Sequence, residues 1–182
     1  MVPSGLALQL NVISPETETE IVNWLDTREW STDLSRRTQD FGHGYNYRNK
    51  SLTLGSPLDG KILICAQILI DAGLMNPQQC IVNEYTRNQG IAPHIDNKGF
   101  GPVVFGLSIN ADAVMLFEKD DERFECFLPR RSLVMLSGKV RYEWKHSISK
   151  NVTYIDDIGN KIVKPENYRR ISLTYRELAE KR

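Results

Sequence analysis

Hydrophobic positions follow two different periods along this chain. Before Pro77 they recur every three or four residues; beyond it they fall into short runs that alternate or bunch. The first period belongs to helices and the second to strands. Residues 6–13 predict an early strand. Ser14-Pro15-Glu16 then reads as an N-cap, a first-turn proline and an acidic first turn, with Ile21, Val22, Trp24 and Leu25 as the apolar face that follows. Residues 57–72 predict a second helix that buries Ile62, Leu63, Ala66 and Ile70. Between the two, residues 31–56 are polar and rich in Gly, Tyr and Arg, the composition of a surface loop or hairpin.

Strand-like runs occupy 80–85, 91–95, 103–109, 113–118, 124–128, 133–136, 142–148 and 170–176, punctuated by Gly, Pro, Asn and Asp. Many short strands at close spacing predict a sandwich or barrel. Helices first and strands afterwards predict an α+β fold with helices bracing one sheet. Residues 149–168 are polar and charged and predict a long connection outside the barrel. A connection of that length is more often functional than idle.

Composition narrows the picture only slightly. The 182 residues suit one domain able to bury a core, and there is no internal repeat. Lys plus Arg (23) equals Asp plus Glu (23), so no global attraction to nucleic acid or membrane is implied, though a local basic patch is compatible with it. Cys65, Cys80 and Cys126 form an odd set without metal-site spacing, as expected of reduced, packed thiols in an intracellular protein, cytoplasmic or nuclear. The N-terminus lacks the basic region and apolar core of a signal peptide. The apolar run 62–70 is too short to span a bilayer. A monomer is the expectation.

The candidate chemistry lies in a few polar residues. His94 and Asp96 are two apart, so in an extended segment they point the same way. A second strand has to bring His146 alongside; taken alone, that histidine is equally an imidazole satisfied by a hydrogen bond near Trp144. Two imidazoles and one carboxylate on one face of a metal leave the opposite positions open, the ligand set of non-haem Fe(II) oxygenases. In 170–176, parity places Ile171, Leu173 and Tyr175 on one face and Arg170, Ser172, Thr174 and Arg176 on the other. Either the arginines are solvated on an edge strand, or two guanidinium forks enter a polar interior and suit a small dicarboxylate. Parity sends Arg169 outward. It also gives Asn83 and Tyr85 a shared face, one that an ordinary turn-proximal Asn and a half-buried Tyr would equally occupy.

With these pieces in order, the chain resembles the AlkB family of Fe(II)- and 2-oxoglutarate-dependent dioxygenases over roughly residues 35–178. The matching elements are Asn83-x-Tyr85, His94-x-Asp96, Arg141-Tyr142-x-Trp144-x-His146 and Arg170-x5-Arg176. The resemblance implies a single domain, 1–182: a double-stranded β-helix (jelly roll) over 79–178, with N-terminal helices and a nucleotide-recognition lid over 1–78. It implies that His94, Asp96 and His146 ligate Fe(II), with no catalytic residue beyond these ligands. Arg170 would pair with the distal carboxylate of 2-oxoglutarate, and Arg176 would lie near the carboxylate beside the keto group. Asn83 and Tyr85 would hydrogen-bond the co-substrate.

The segments Arg36-Arg37-Thr38-Gln39-Asp40-Phe41-Gly42 and Gly44-Tyr45-Asn46-Tyr47 resemble the lid. Arg37, Tyr45, Tyr47, Lys98 and Trp144 are the expected substrate contacts, although hairpin packing accounts equally for Tyr45 and Tyr47. Lys98 replaces an acid that the family's bacterial prototype carries near the substrate base. The implied reaction consumes dioxygen and 2-oxoglutarate, with ascorbate as an in vitro reductant. It hydroxylates an N-alkyl carbon and releases formaldehyde from an alkylated base in DNA or RNA. Alternatives are a tRNA wobble-base hydroxylase of the same family, a family member acting on protein or lipid, or an idle reader of modified nucleic acid.

Overall fold

The computed structural model describes residues 2–46, 51–53 and 58–179. Strand β1 (Leu6–Gln9) leads into helix α1 (Pro15–Asp26). Strands β2 (Thr38–Gly42), β3 (Gly44–Asn46) and β4 (Ser51–Thr53) precede helix α2 (Ile62–Asp71). The β-rich remainder begins with β5 (Gln79–Thr86), β6 (Ile91–His94), β7 (Phe100–Ile109), β8 (Ala113–Lys119), β9 (Glu122–Leu128) and β10 (Ser132–Ser137). A short helix, α3 (Gly138–Tyr142), then leads to β11 (Lys145–Ile148), β12 (Thr153–Ile155), β13 (Lys161–Val163) and β14 (Arg169–Leu178).

The larger sheet has the order β1-β10-β7-β14-β5-β2, and the smaller β6-β11-β8-β9; every pairing in both is antiparallel. The fold is thus mostly antiparallel β-structure with few helices. Period-2 alternation gives the large sheet two apolar faces. Cys80, Val82, Phe105, Leu107, Ile171, Leu173 and Tyr175 share one core with Ile21, Leu25, Ile62 and Leu69 of the helices. Val104, Val134 and Leu136 point the other way and join Phe117, Cys126 and Leu128 of the small sheet in a second core. Those two cores use opposite faces of the same strands, which is why the runs read as continuously apolar.

Helix α1 starts where the capping pattern places it: Ser14 Oγ accepts from the Thr17 N–H at 3.1 Å, with Pro15 in the first turn. Glu18, in that first turn, is buried and accepts from Arg130, Arg131 and the Asn110 backbone, which pins the helix to the sheet. Two expectations shift. Within 31–56, β2 is an integral strand of the large sheet beside β5. Its polar residues are accommodated by buried bonds, such as Gln39 Nε2 donating to the Leu25 carbonyl at 2.9 Å. Within 149–168 the chain folds into the β12–β13 hairpin, whose Tyr154 stacks on Phe127 with centroids 6.1 Å apart. No helix among the described residues is long and apolar enough to cross a membrane.

Candidate active site

A cavity of about 360 Å³ opens between the two sheets. The faces that line it follow from strand parity. From β14 it receives Arg170, Ser172, Thr174 and Arg176, and from β5 Ile81, Asn83 and Tyr85. The small sheet contributes His94, His146, Met115 and Ile148, with Asp96 just past the end of β6. Arg169, of opposite parity, leaves the cavity and bonds Glu84 and Asp26.

Strands β6 and β11 are antiparallel neighbours, and His94 and His146 are direct cross-strand partners with ring centroids 4.3 Å apart. Near the other end of the pair the strands also approach closely at Gly90, where an added Cβ would stand 2.2 Å from the Ile148 carbonyl oxygen. Asp96 follows His94 by one alternation and completes the set: a ligand atom from each residue lies within 4.8 Å of the others. The ligand atoms are prepared for a cation. His94 Nδ1 is 2.8 Å from the Ala92 carbonyl, so its proton sits there and Nε2 keeps its lone pair. Asp96 Oδ1 accepts from Arg176 Nη2 at 2.5 Å, whereas its buried Oδ2 has no hydrogen-bond partner among the described residues and lies 3.8 Å from His146 Nε2. An orphaned buried carboxylate oxygen between two imidazoles is costly unless something positive joins it.

The electrostatics agree with this arrangement. Burial alone would raise the Asp96 carboxyl, but Arg176, then the two histidines and Arg141, bring it down to about 2. Burial lowers His146 to about 4 against the opposing pull of Asp96, so the imidazole is neutral near pH 7 and its nitrogen is free to ligate. Arg141 acts from behind. It is fully buried and donates to the carbonyls of Asp96 (2.9 Å) and Asn97 (2.8 Å), fixing the loop that carries the carboxylate.

Arg170 is the second notable charge. Its Nε donates to Ser108 Oγ at 2.9 Å and its guanidinium sits 5.3 Å from the Tyr85 ring centroid. It is 2% exposed and has no carboxylate partner among the described residues. A buried cation beside a metal-ligand set is a ready receptor for an anionic co-substrate. Arg176, for its part, spans Asp96 and Gln79 Oε1, so its charge supports the candidate ligand directly.

The expected substrate contacts fare differently. Arg37 turns away from the cavity and grips Glu84 with two bonds, 2.6 and 2.7 Å, on the helix side of the sheet. Its neighbour Arg36 enters instead, with Nε donating to Asn83 Oδ1 at 2.7 Å. Trp144 is 6% exposed and belongs to the core between the sheets, so it does not line the cavity. Lys98 is exposed on the loop after Asp96, outside the lining. Tyr45 stands in β3, paired with Leu52, and Tyr47 lies outside the described residues. Sequence reasoning passed over Arg36, Arg141 and Ser108. The first two stood in motifs already noticed, but nothing in the spacing distinguished Arg36 from Arg37.

Two imidazoles and a carboxylate converging in a cavity with open space before them define a non-haem Fe(II) oxygenase site. The chain belongs to the 2OG-Fe(II) oxygenase superfamily, whose family model matches residues 11–176. It is an Fe(II)- and 2-oxoglutarate-dependent dioxygenase of AlkB type. One relative is the tRNA (carboxymethyluridine(34)-5-O)-methyltransferase alkbh8 of Xenopus tropicalis, 31% identical over 162 residues, with 81% of this chain and 25% of that protein aligned. Another is the DNA N6-methyl adenine demethylase of Caenorhabditis elegans, 29% identical over 189 residues, covering 97% of this chain and 60% of the relative. The chain therefore spans a quarter of the first and under two thirds of the second. Among solved structures, OsALKBH1 superposes with a TM-score of 0.76 at 16% identity, over 97% of this chain and 98% of that one. At that identity the likeness concerns the fold.

Proposed function

We propose that the chain is a single domain, 1–182, that oxidatively demethylates N-alkylated bases in DNA or RNA. In this reading residues 79–178 form a double-stranded β-helix and 1–78 supply the bracing helices and the lid. Two antiparallel sheets enclosing a ligand set near one end support the jelly-roll assignment. His94, Asp96 and His146 would hold Fe(II), for which the orphaned Asp96 Oδ2 and the free imidazole nitrogens are suited. Arg170 would take the distal carboxylate of 2-oxoglutarate, with Asn83 and Tyr85 orienting it, while Arg176 steadies Asp96 near the other end. When bound, the metal and co-substrate supply the oxidising power for hydroxylation of an N-alkyl carbon. The protein's own part is to fix geometry, keep the guanidiniums in place and exclude water from an apolar-walled cavity.

The observation that carries this reading is the buried Arg170, without a carboxylate partner among the described residues, sharing one cavity with the three candidate ligands. The base as substrate is supported by relatives named for nucleic-acid activities. In a duplex the target would have to be flipped out of the stack to enter a cavity between the sheets. Similarity to the frog relative, named for a tRNA uridine, supports hydroxylation of a wobble base as the second reading. The deciding experiment is a panel of methylated DNA, RNA and tRNA-anticodon oligonucleotides, scored for formaldehyde and for mass gain of one oxygen. Formaldehyde from N-methylated bases is the expected result. Oxygen gain confined to the anticodon oligonucleotides would establish the second reading, and neither product from any member would refute both.

A further inference from the structure

Arg36 reaches the cavity from a loop that is pinned on either side of it. Ser31 and Thr38 close the base of that loop with two backbone hydrogen bonds, 2.9 and 3.0 Å. Gln89 Nε2 donates to the Ser35 carbonyl at 2.6 Å, and the Glu84 N–H donates to the Arg37 carbonyl at 3.0 Å. Register sets the patch that Arg36 meets: Asn83 stands opposite Ser172, and Tyr85 opposite Arg170. Arg36 Nε donates to Asn83 Oδ1 at 2.7 Å, and its guanidinium lies 5.9 Å from the Tyr85 ring centroid, against 5.3 Å for that of Arg170. A guanidinium donates and never accepts. The atom facing Arg36 Nε must therefore be the carbonyl oxygen of the Asn83 amide, which turns the two amide N–H groups away from Arg36. Those groups have no hydrogen-bond partner among the described residues, although Asn83 is only 6% exposed. The Tyr85 phenol is under the same constraint. Burial raises its pKa against the pull of Arg170 and Arg36, so it keeps its proton near pH 7, and neither guanidinium competes for that O–H as an acceptor.

We infer that Arg36 is a positioning residue for the co-substrate: by engaging Asn83 Oδ1 it presents the amide N–H groups, beside the Tyr85 hydroxyl and the Arg170 guanidinium, as a wall of donors for one carboxylate. A carboxylate only accepts hydrogen bonds, so such a wall fits it, whereas an amide turned over would set a carbonyl oxygen against it. The loop 31–38 thereby becomes part of the co-substrate site. The inference rests on the co-substrate role proposed above for Arg170 and adds to it the residue that fixes the neighbouring amide. Loss of Arg36 removes a charge-assisted bond to that buried amide and frees it to present the wrong face. Co-substrate binding then weakens, while the candidate metal ligands are untouched.

Isothermal titration calorimetry with 2-oxoglutarate on the Mn(II)-loaded protein reads this without turnover. Arg36→Met should raise the dissociation constant about tenfold, with Mn(II) affinity and melting temperature at wild-type values. Arg36→Lys keeps a donor and should lose less, and it preserves the test should the methionine variant fail to fold. Asn83→Ala supplies the other edge of a double-mutant cycle. On that background Arg36→Met should weaken binding by no more than about twofold, because the amide it positions is gone. In turnover, Arg36→Met should raise KM for 2-oxoglutarate by a larger factor than it lowers kcat. Equal losses from Arg36→Met on both backgrounds overturn the inference, as does an undiminished affinity. Arg170→Ala separates this from the reading beneath it. If Arg170→Ala weakens 2-oxoglutarate binding and the Arg36 variants do not, the inference falls and the co-substrate site stands. If Arg170→Ala leaves the affinity unchanged, the co-substrate reading falls and the inference with it.

Discussion

Asp96 shows how much a single residue is asked to do. Its two oxygens have separate tasks, one fixed by Arg176 and the other left bare toward the histidines. Arg170 is similarly placed: it is buried without a carboxylate partner among the described residues, which suits the co-substrate role proposed for it. Arg170→Ala should raise the 2-oxoglutarate requirement about 30-fold or more, equivalent to ~2 kcal/mol, with little change in iron affinity. Steady-state kinetics over a 2-oxoglutarate series would measure this, and an unchanged requirement would remove Arg170 from the role. At this scale the sequence was readable wherever a residue sat in regular structure. Parity separates Arg170 from Arg169 and pairs Asn83 with Tyr85 because alternation is strict in a paired strand. Arg36 and Arg37 precede β2, where no period applies, so which one enters the cavity depends on tertiary partners, Asn83 for one and Glu84 for the other.

Among the elements, β6 and β11 bring the histidines together, and the loop after β6 places the carboxylate. Arg141, projecting from α3, is what holds that loop through its carbonyls. Arg141→Met should therefore weaken Fe(II) binding by about 10–100-fold, as is usual when a group supporting a metal ligand is lost. Equilibrium metal titration beside a thermal melt would separate the roles: a lowered melting temperature with unchanged iron affinity would mean that Arg141 serves stability alone. Strands with strong alternation were legible in the sequence, and so was α1 from its cap. Helix α3 was not, because five residues are too few to show a helical period. Strand β2 was hidden by its polar composition, whose burial is supported by partners remote in sequence, such as Leu25. Trp144 was expected as a substrate contact, but α3 and β11 turn it into the core between the sheets.

Across the whole molecule, the sheets divide the work. The small sheet carries the two histidines of the candidate metal site and the loop after β6 its carboxylate, the large sheet carries Arg170 and Arg176, and the cavity lies where the two sheets face each other. Helices α1 and α2 cover the far face of the large sheet, which leaves its inner face free for polar residues without loss of a core. The proposed function depends on three side chains, from β6, its following loop and β11, binding one ion. The most direct measurement is anaerobic Fe(II) titration of the wild-type protein, Asp96→Ala and His146→Ala, with stoichiometry read at equilibrium. Wild type should bind one Fe(II) per chain tightly, and both variants should lose that site while retaining their β-sheet circular dichroism. Stoichiometric, tight iron in either variant would contradict the assignment of the metal centre.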